Sequence, residues 1–183
     1  MAGRHDLELV ALGRTGDRGA FGELVRRHGS AVRALVRRMG ADGATADDVA
    51  QDAFLSAFEQ IAEFRGEGAF RTWVSRIAAR LYARRWRREA RAELLADGAD
   101  DDPAAGVGAD ARIDLDDALG SLSEAERVCV SLCYGVGLSH AEAAHALNAP
   151  LGTVKSHVKR GLDKLRSRLS PDGDGGQRRQ VGG

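Results

Sequence analysis

The sequence predicts an all-α chain of two small helical domains joined by a flexible acidic linker, and three observations predict it. Apolar residues, mostly Ala, Leu and Val, recur at helical steps, β-branched runs are scarce, and the first proline is Pro103. Between about Ala92 and Asp110 large apolar side chains almost vanish in favour of Ala, Gly and Asp. Such a stretch cannot bury enough surface to offset its ordering entropy. Finally, 27 basic and 27 acidic residues balance to zero, yet the charges are segregated. Eight arginines against Glu89 lie from Arg71 to Arg91, six basic residues against Asp163 lie from Lys155 to Arg168, and nine acids against Arg112 lie from Glu93 to Asp117.

Taken in order, Leu7 to Leu12 reads as a short leading helix closed by Gly16 and Asp17. Phe21, Leu24, Val25, His28, Val32, Leu35, Val36 and Met39 form the apolar stripe of a longer helix, with Arg26, Arg27, Arg33, Arg37 and Arg38 off the stripe. A loop from Gly40 follows, and Thr45 is the expected cap of the next helix, whose inward residues are Val49, Ala53, Phe54, Ala57, Phe58 and Ile61. Gly66 and Gly68 break the pattern. A further helix places Phe70, Trp73, Val74, Ile77, Leu81 and Tyr82 inward and ends in Arg84, Arg85, Trp86, Arg87 and Arg88.

The domain boundaries expected from this pass are 1–92 for the first domain, 93–113 for the linker, 114–170 for the second domain and 171–183 for a disordered tail. In the second domain Leu115, Leu119 and Leu122 share a stripe. Ser123 with Glu126, and Ser139 with Glu142, have the spacing of capping boxes. The first box opens a helix carrying Val128, Val130, Leu132 and Tyr134, ended by Gly135 and Gly137; the second opens one carrying Ala143, Ala144 and Leu147. After Pro150, Gly152 and Thr153 open a last helix with Val154, Val158, Leu162, Leu165 and Leu169 inward.

No run approaches the roughly 18 apolar residues needed to span a bilayer, and the N-terminus lacks the apolar core of a signal peptide, so a cytoplasmic location is expected. Cys129 and Cys133 lie four apart on an apolar helix face, where thiols behave as small hydrophobes. The histidines are scattered, and no nucleophile elbow, zinc-protease spacing or phosphate loop is present. No catalytic site, metal or cofactor is expected.

The segment from Leu138 to Leu169 has the helix, tight turn and second helix of a helix-turn-helix, with Lys155, Ser156, Lys159 and Arg160 facing outward. Lys and Arg can donate to guanine, Ser156 to a base or phosphate, and the open N–H groups near Thr153 suit a phosphate. A helical hairpin with a merely solvated basic face would carry the same pattern. Asp48, Gln51, Asp52 and Ser56 share one exposed helix face, either solvated or turned to a basic partner.

The strings Leu122 to Arg127, Gly137 to Ala144 and Gly152 to Ser156, followed by Arg160, Leu165, Arg166 and Leu169, closely resemble the C-terminal domain of bacterial sigma factors of the extracytoplasmic-function group. Two-component regulators carry related strings. In the first half Gly16 and Asp17, Ala20 and Phe21, Asp47 to Asp52, Phe54 and Leu55, Phe64 to Gly66, Phe70 to Trp73 and Arg76 to Ala78 resemble the promoter-melting domain of the same factors. The two half-matches cover most of residues 6–91 and 114–169, in order.

This resemblance implies that Asp48, Gln51, Asp52, Leu55 and Ser56 bind core RNA polymerase at the clamp helices of β′, with the β flap as a further contact. It implies that Phe64, Arg65 and Gly66 sit in a loop that holds a base flipped from the minus-ten element. Arg71, Arg80, Arg84, Arg85, Arg87 and Arg88 would then grip promoter DNA, with Trp86 as a stacking side chain, while Trp73 belongs to the core. Thr153, Lys155, Ser156, Lys159 and Arg160 would read the minus-thirty-five element. Arg80 stands where an Asn is usual and Arg84 where an acid is common, which favours phosphate contact over base reading. The acidic linker either threads polymerase toward the RNA exit path or is a plain spacer. An anti-sigma factor is an implied partner. A free-standing helix-turn-helix regulator and a pure interaction module are the rival readings.

Overall fold

The structure is a computed structural model that describes residues 5–90 and 115–169. The expected linker at 93–113 and tail at 171–183 lie outside the described residues, which are helical with no strand among them.

α1 (Asp6–Arg14) begins where His5 accepts from the Leu7 N–H. α2 (Arg18–Arg38) begins where Asp17 accepts from the Ala20 N–H at 3.0 Å. α3 (Gly43–Glu59) is capped by Asp42, whose carboxylate accepts from the Thr45 N–H at 2.7 Å. The expected capping role of Thr45 is therefore corrected. The carboxylate three residues earlier satisfies its orphan N–H, and Thr45 is already inside the helix. A 3₁₀ turn (Ile61–Glu63) leads to a loop in which Gly66 and Gly68 have φ of +78° and +94°, a region costly for residues with a Cβ. α4 (Phe70–Glu89) follows.

α2, α3 and α4 pack around Phe21, Leu24, Val32, Val36, Phe54, Phe70 and Val74, all buried. Phe21 meets Phe70 edge-on at 6.4 Å and Phe64 meets Phe70 edge-on at 5.8 Å, the arrangement that ring quadrupoles favour. α1 lies against the 3₁₀ turn so closely that a Cβ on Gly13 would stand 2.8 Å from Ile61.

The second group of helices starts with α5 (Leu115–Gly120) and α6 (Glu124–Val130), continued by a π-helical turn at Ser131–Gly135. α7 (His140–Leu147) and α8 (Leu151–Leu169) complete it. Both expected capping boxes are formed, at Ser123 with Glu126 and at Ser139 with Glu142. Tyr134 is 64% exposed. It stands two residues past the buried Leu132, roughly 200° round a helix from it, and so faces solvent. Leu169, expected inward, is exposed at the last residue of its helix, and Leu115 at the first of its own, beyond the covering partners.

The two groups do not stay apart. α4 packs against α7, and one hydrophobic cluster runs from α1–α4 into α6–α8.

Candidate nucleic-acid interface

On α3, Asp48, Gln51, Asp52 and Leu55 are exposed and Ser56 half-exposed, so steps of three and four bring them to one face. Leu55 is 57% exposed, an apolar side chain amid acids and an amide. Behind this ridge runs a groove of about 910 Å³ between α2 and α3, with Gln51 and Leu55 on one wall and Arg33 and Arg37 on the other.

α4 supplies the cationic surface. Arg71, Arg80, Arg84 and Arg88 are exposed, and Arg85 and Arg87 half-exposed. Arg85 lies 3.9 Å from Asp48 and 3.6 Å from Glu89, so the acidic face of α3 and the basic face of α4 adjoin. Asp52 joins Arg84, Arg85, Arg87 and Arg88 around a shallow depression between the same helices.

Two sequence-based assignments on this surface are corrected. Trp86 is only 4% exposed and donates its indole N–H to Glu124 at 3.2 Å, so it is no stacking platform for DNA in this conformation. It lies four residues after Tyr82 on the buried side of α4, and its partner Glu124 at the start of α6 is one that no local pattern announces. Phe64 is 3% exposed and held between Phe70 and Trp73, which removes its ring from the loop surface. Arg65 and Gly66 remain exposed at the loop. Trp73 is partly buried against the core, as expected.

The loop has a support that the sequence reading missed. Arg14 of α1 donates to the carbonyl of Phe64 and, at 3.4 Å, to that of Ile61. Its only sequence signal was a basic residue closing a short helix.

In the C-terminal group, α7 ends at Asn148, whose left-handed φ of +46° turns the chain toward Pro150 and α8. That tight turn sets α8 across α7 in helix-turn-helix fashion. Lys155 and Lys159, one turn apart, are exposed, while Thr153, Ser156 and Arg160 are half-buried. Arg160 donates to His157 Nδ1 at 3.1 Å and lies 3.7 Å from Glu126. Glu126, 3% exposed, also holds Lys164 at 3.0 Å and accepts from the Ser123 N–H at 3.1 Å. Thus Lys155 and Lys159 face solvent outright, whereas Arg160 is steered by a buried carboxylate.

The acids of the α7 and α3 caps are held charged. Hydrogen bonds from Ser139 keep the Glu142 carboxyl below its usual range, and those from Thr45 do so for Asp42. Burial pushes the Cys129 thiol up to about 12 and raises that of Cys133. Among the described residues no group of three or more His, Cys, Asp and Glu side chains is placed to hold a metal ion.

Two family models match the chain: sigma-70 region 2 over residues 24–92 and sigma-70 region 4 over residues 118–167. The RNA polymerase sigma factor NccH of Alcaligenes xylosoxydans xylosoxydans is 34% identical over 90% of this chain and 94% of its own length. The ECF RNA polymerase sigma factor SigM of Mycobacterium tuberculosis strain H37Rv is 36% identical over 89% of this chain and 85% of its own. Among solved structures, CnrH in complex with the cytosolic domain of CnrY superposes with a TM-score of 0.51 at 31% identity, covering 91% of this chain and 98% of that one. By these likenesses, the chain belongs to the extracytoplasmic-function group of the sigma-70 family of RNA polymerase sigma factors.

Proposed function

We infer that this chain is an alternative sigma factor, a regulatory protein without a catalytic site, that binds core RNA polymerase and directs it to particular promoters. The observation that carries the division of labour is the 3.9 Å approach of Arg85 to Asp48, which joins the exposed acidic face of α3 to the arginine face of α4. A partner held by Asp48, Gln51, Asp52, Leu55 and Ser56 lies beside whatever Arg71, Arg84, Arg87 and Arg88 hold. DNA opened there is opened against the polymerase.

Residues 1–92 form the polymerase-binding and minus-ten unit in this reading, and residues 114–170 the minus-thirty-five unit. Extruding a base from the stack costs a few kcal/mol, which the loop at Arg65 and Gly66 recovers through backbone contacts while the α4 arginines neutralise phosphates. Lys155 and Lys159 reach base edges or phosphates in the major groove, with Ser156 and Thr153 beside them. The α2–α3 groove, apolar on its floor and lined by Arg33 and Arg37, suits an amphipathic segment with acidic flanks, the kind of feature an anti-sigma partner presents. No described helix is long and apolar enough to cross a membrane, which fits a protein acting on polymerase in the cytoplasm.

Transcription in vitro with core polymerase on a promoter library tests the reading. Added protein is expected to select a subset of promoters that core enzyme alone ignores. Unchanged initiation would overturn it, and tight binding to an operator duplex by a dimer of the free chain would point to a separate helix-turn-helix regulator.

A further inference from the structure

Glu126 is 3% exposed, and its two oxygens have different partners. Oε2 accepts from the Ser123 N–H at 3.1 Å, which completes the cap of α6, and holds Lys164 at 3.0 Å. Oε1 is turned instead to Nε of Arg160, 3.7 Å away on α8. A capping box needs only an acceptor, and Gln serves it as Glu does. A neutral residue would also avoid the cost of taking a carboxylate out of water. The charge is therefore surplus to the cap, and it meets two cations of α8, of which Arg160 stands among the residues proposed to face DNA. Gly161 lets the two helices come this close: a Cβ there would lie 3.5 Å from that of Glu126.

Arg160 is held on a second side. One Nη2 N–H donates to Nδ1 of His157, 3.1 Å away, and the histidine is only 4% exposed. Of the five N–H donors of a guanidinium, Nε–H and one on Nη2 are thus turned to the protein. The terminal fork, made of both Nη1 donors and the other on Nη2, is left open, and 36% of the side chain stays in solvent. Two parallel donors at that end match the O6 and N7 acceptors of a guanine in the major groove. We propose that Glu126 is a specificity-determining positioning residue: its carboxylate, with His157, holds the Arg160 guanidinium so that the terminal fork reads one base pair of the minus-thirty-five element rather than a phosphate. The proposal rests on the sigma-factor reading of α8 and deepens it. A guanidinium ordered before binding loses less rotamer freedom on contact than a free one. Lys155 and Lys159, exposed on the same helix, supply charge without that fork.

Promoter binding by the holoenzyme, measured with each base pair of the minus-thirty-five element replaced in turn, tests this. Arg160→Ala first identifies the base pair that Arg160 reads. Glu126→Gln keeps an acceptor for the cap and sets an amide NH₂ opposite Nε of Arg160, donor against donor. It is expected to lower discrimination at that base pair at least ~5-fold and at the other positions by less than ~2-fold, with polymerase affinity unchanged. On the Arg160→Ala background it should change that discrimination no further. Arg160→Lys, which leaves Glu126 and the cap intact and keeps the charge without the fork, should lose the same discrimination. Even loss across the element in Glu126→Gln, or retained discrimination in either variant, overturns the proposal. The free full-length chain gives an independent measure. Nitrogen-15 spectra should show the Arg160 Nε–H exchanging slowly in the wild type and rapidly in Glu126→Gln, and equal exchange in both also overturns the proposal. A wild-type holoenzyme that discriminates nowhere in the element defeats the sigma-factor reading of α8 instead, and exchange of the Nε–H still decides whether Glu126 holds Arg160.

Discussion

Lys164 places its ammonium 3.0 Å from the carboxylate of Glu126, which is 3% exposed and capped onto the Ser123 N–H. One buried acid thus closes the start of α6 and anchors two basic residues of α8. Glu126→Ala removes both roles. Because Lys164 and Arg160 keep about a third of their surface in water, the cost is mainly the lost cap and hydrogen bonds, about 1–3 kcal/mol. The unfolding free energy from denaturant titration is expected to fall by that amount, and Glu126→Gln, which keeps an acceptor for the cap, should lose less.

The close approach of α6 and α8 at Gly161 gives a second test. A Cβ there would meet Val130 Cγ2 at 2.7 Å. Gly161→Ala is expected to destabilise by about 1–3 kcal/mol through overpacking, despite the better helix propensity of Ala. Adding Val130→Ala should return part of that loss, a non-additivity readable in a double-mutant cycle.

Separation of the two binding activities is the third. Lys155→Ala and Arg160→Ala should weaken upstream promoter recognition and leave polymerase affinity intact, whereas Asp52→Ala should do the reverse. Arg84→Ala should weaken DNA binding evenly across sequences and lower the salt slope of holoenzyme binding by about 0.9. Footprinting and polymerase pull-down read the two arms, and parallel loss of both in every variant would contradict the assignment.

Thiol reactivity should rank by burial. With its thiol pushed up to about 12, Cys129 carries almost no thiolate at neutral pH and is closed to reagents; Cys133 is half-buried. Iodoacetamide followed by peptide mass mapping is expected to label Cys133 first, and Cys129 only as fast as the fold opens.

Acid sensitivity follows from the caps. The carboxyls of Glu142 and Asp42 are lowered in the fold by hydrogen bonds that the unfolded chain lacks. Their contribution is complete above the unfolded carboxylate range, near pH 4 to 4.5, and fades as pH falls through the lower folded values. Helix content followed by circular dichroism should therefore fall with acid below about pH 4. Glu142→Gln, which retains a neutral cap, should make the α7 share of that loss less dependent on pH.

Helix starts were legible where the signal was local. Ser123 with Glu126 and Ser139 with Glu142 are spaced for reciprocal capping, and Asn148 with Pro150 marks a turn, because each involves groups within four residues. The cap of α3 was misread by three residues since Asp42 and Thr45 are both competent capping types and only backbone geometry chooses between them. The outward faces of α3 and α8 were legible for the same reason as the caps: a helix repeats every 3.6 residues whatever surrounds it.

By itself, the sequence determined the all-α class, the positions of most helices, the segregation of charge and the ridge from Asp48 to Ser56. All of these follow from composition and short-range spacing. Tertiary structure alone decided that Trp86 donates to Glu124 of α6, that Phe64 serves the core, and that Arg85 meets Asp48 and Arg80 meets Glu142. The bonds from Trp86 to Glu124 and from Arg80 to Glu142 join residues 38 and 62 positions apart, and such pairings depend on how whole helices pack. Helical periodicity reports which face of a helix is apolar, and carries no record of which helix will cover it.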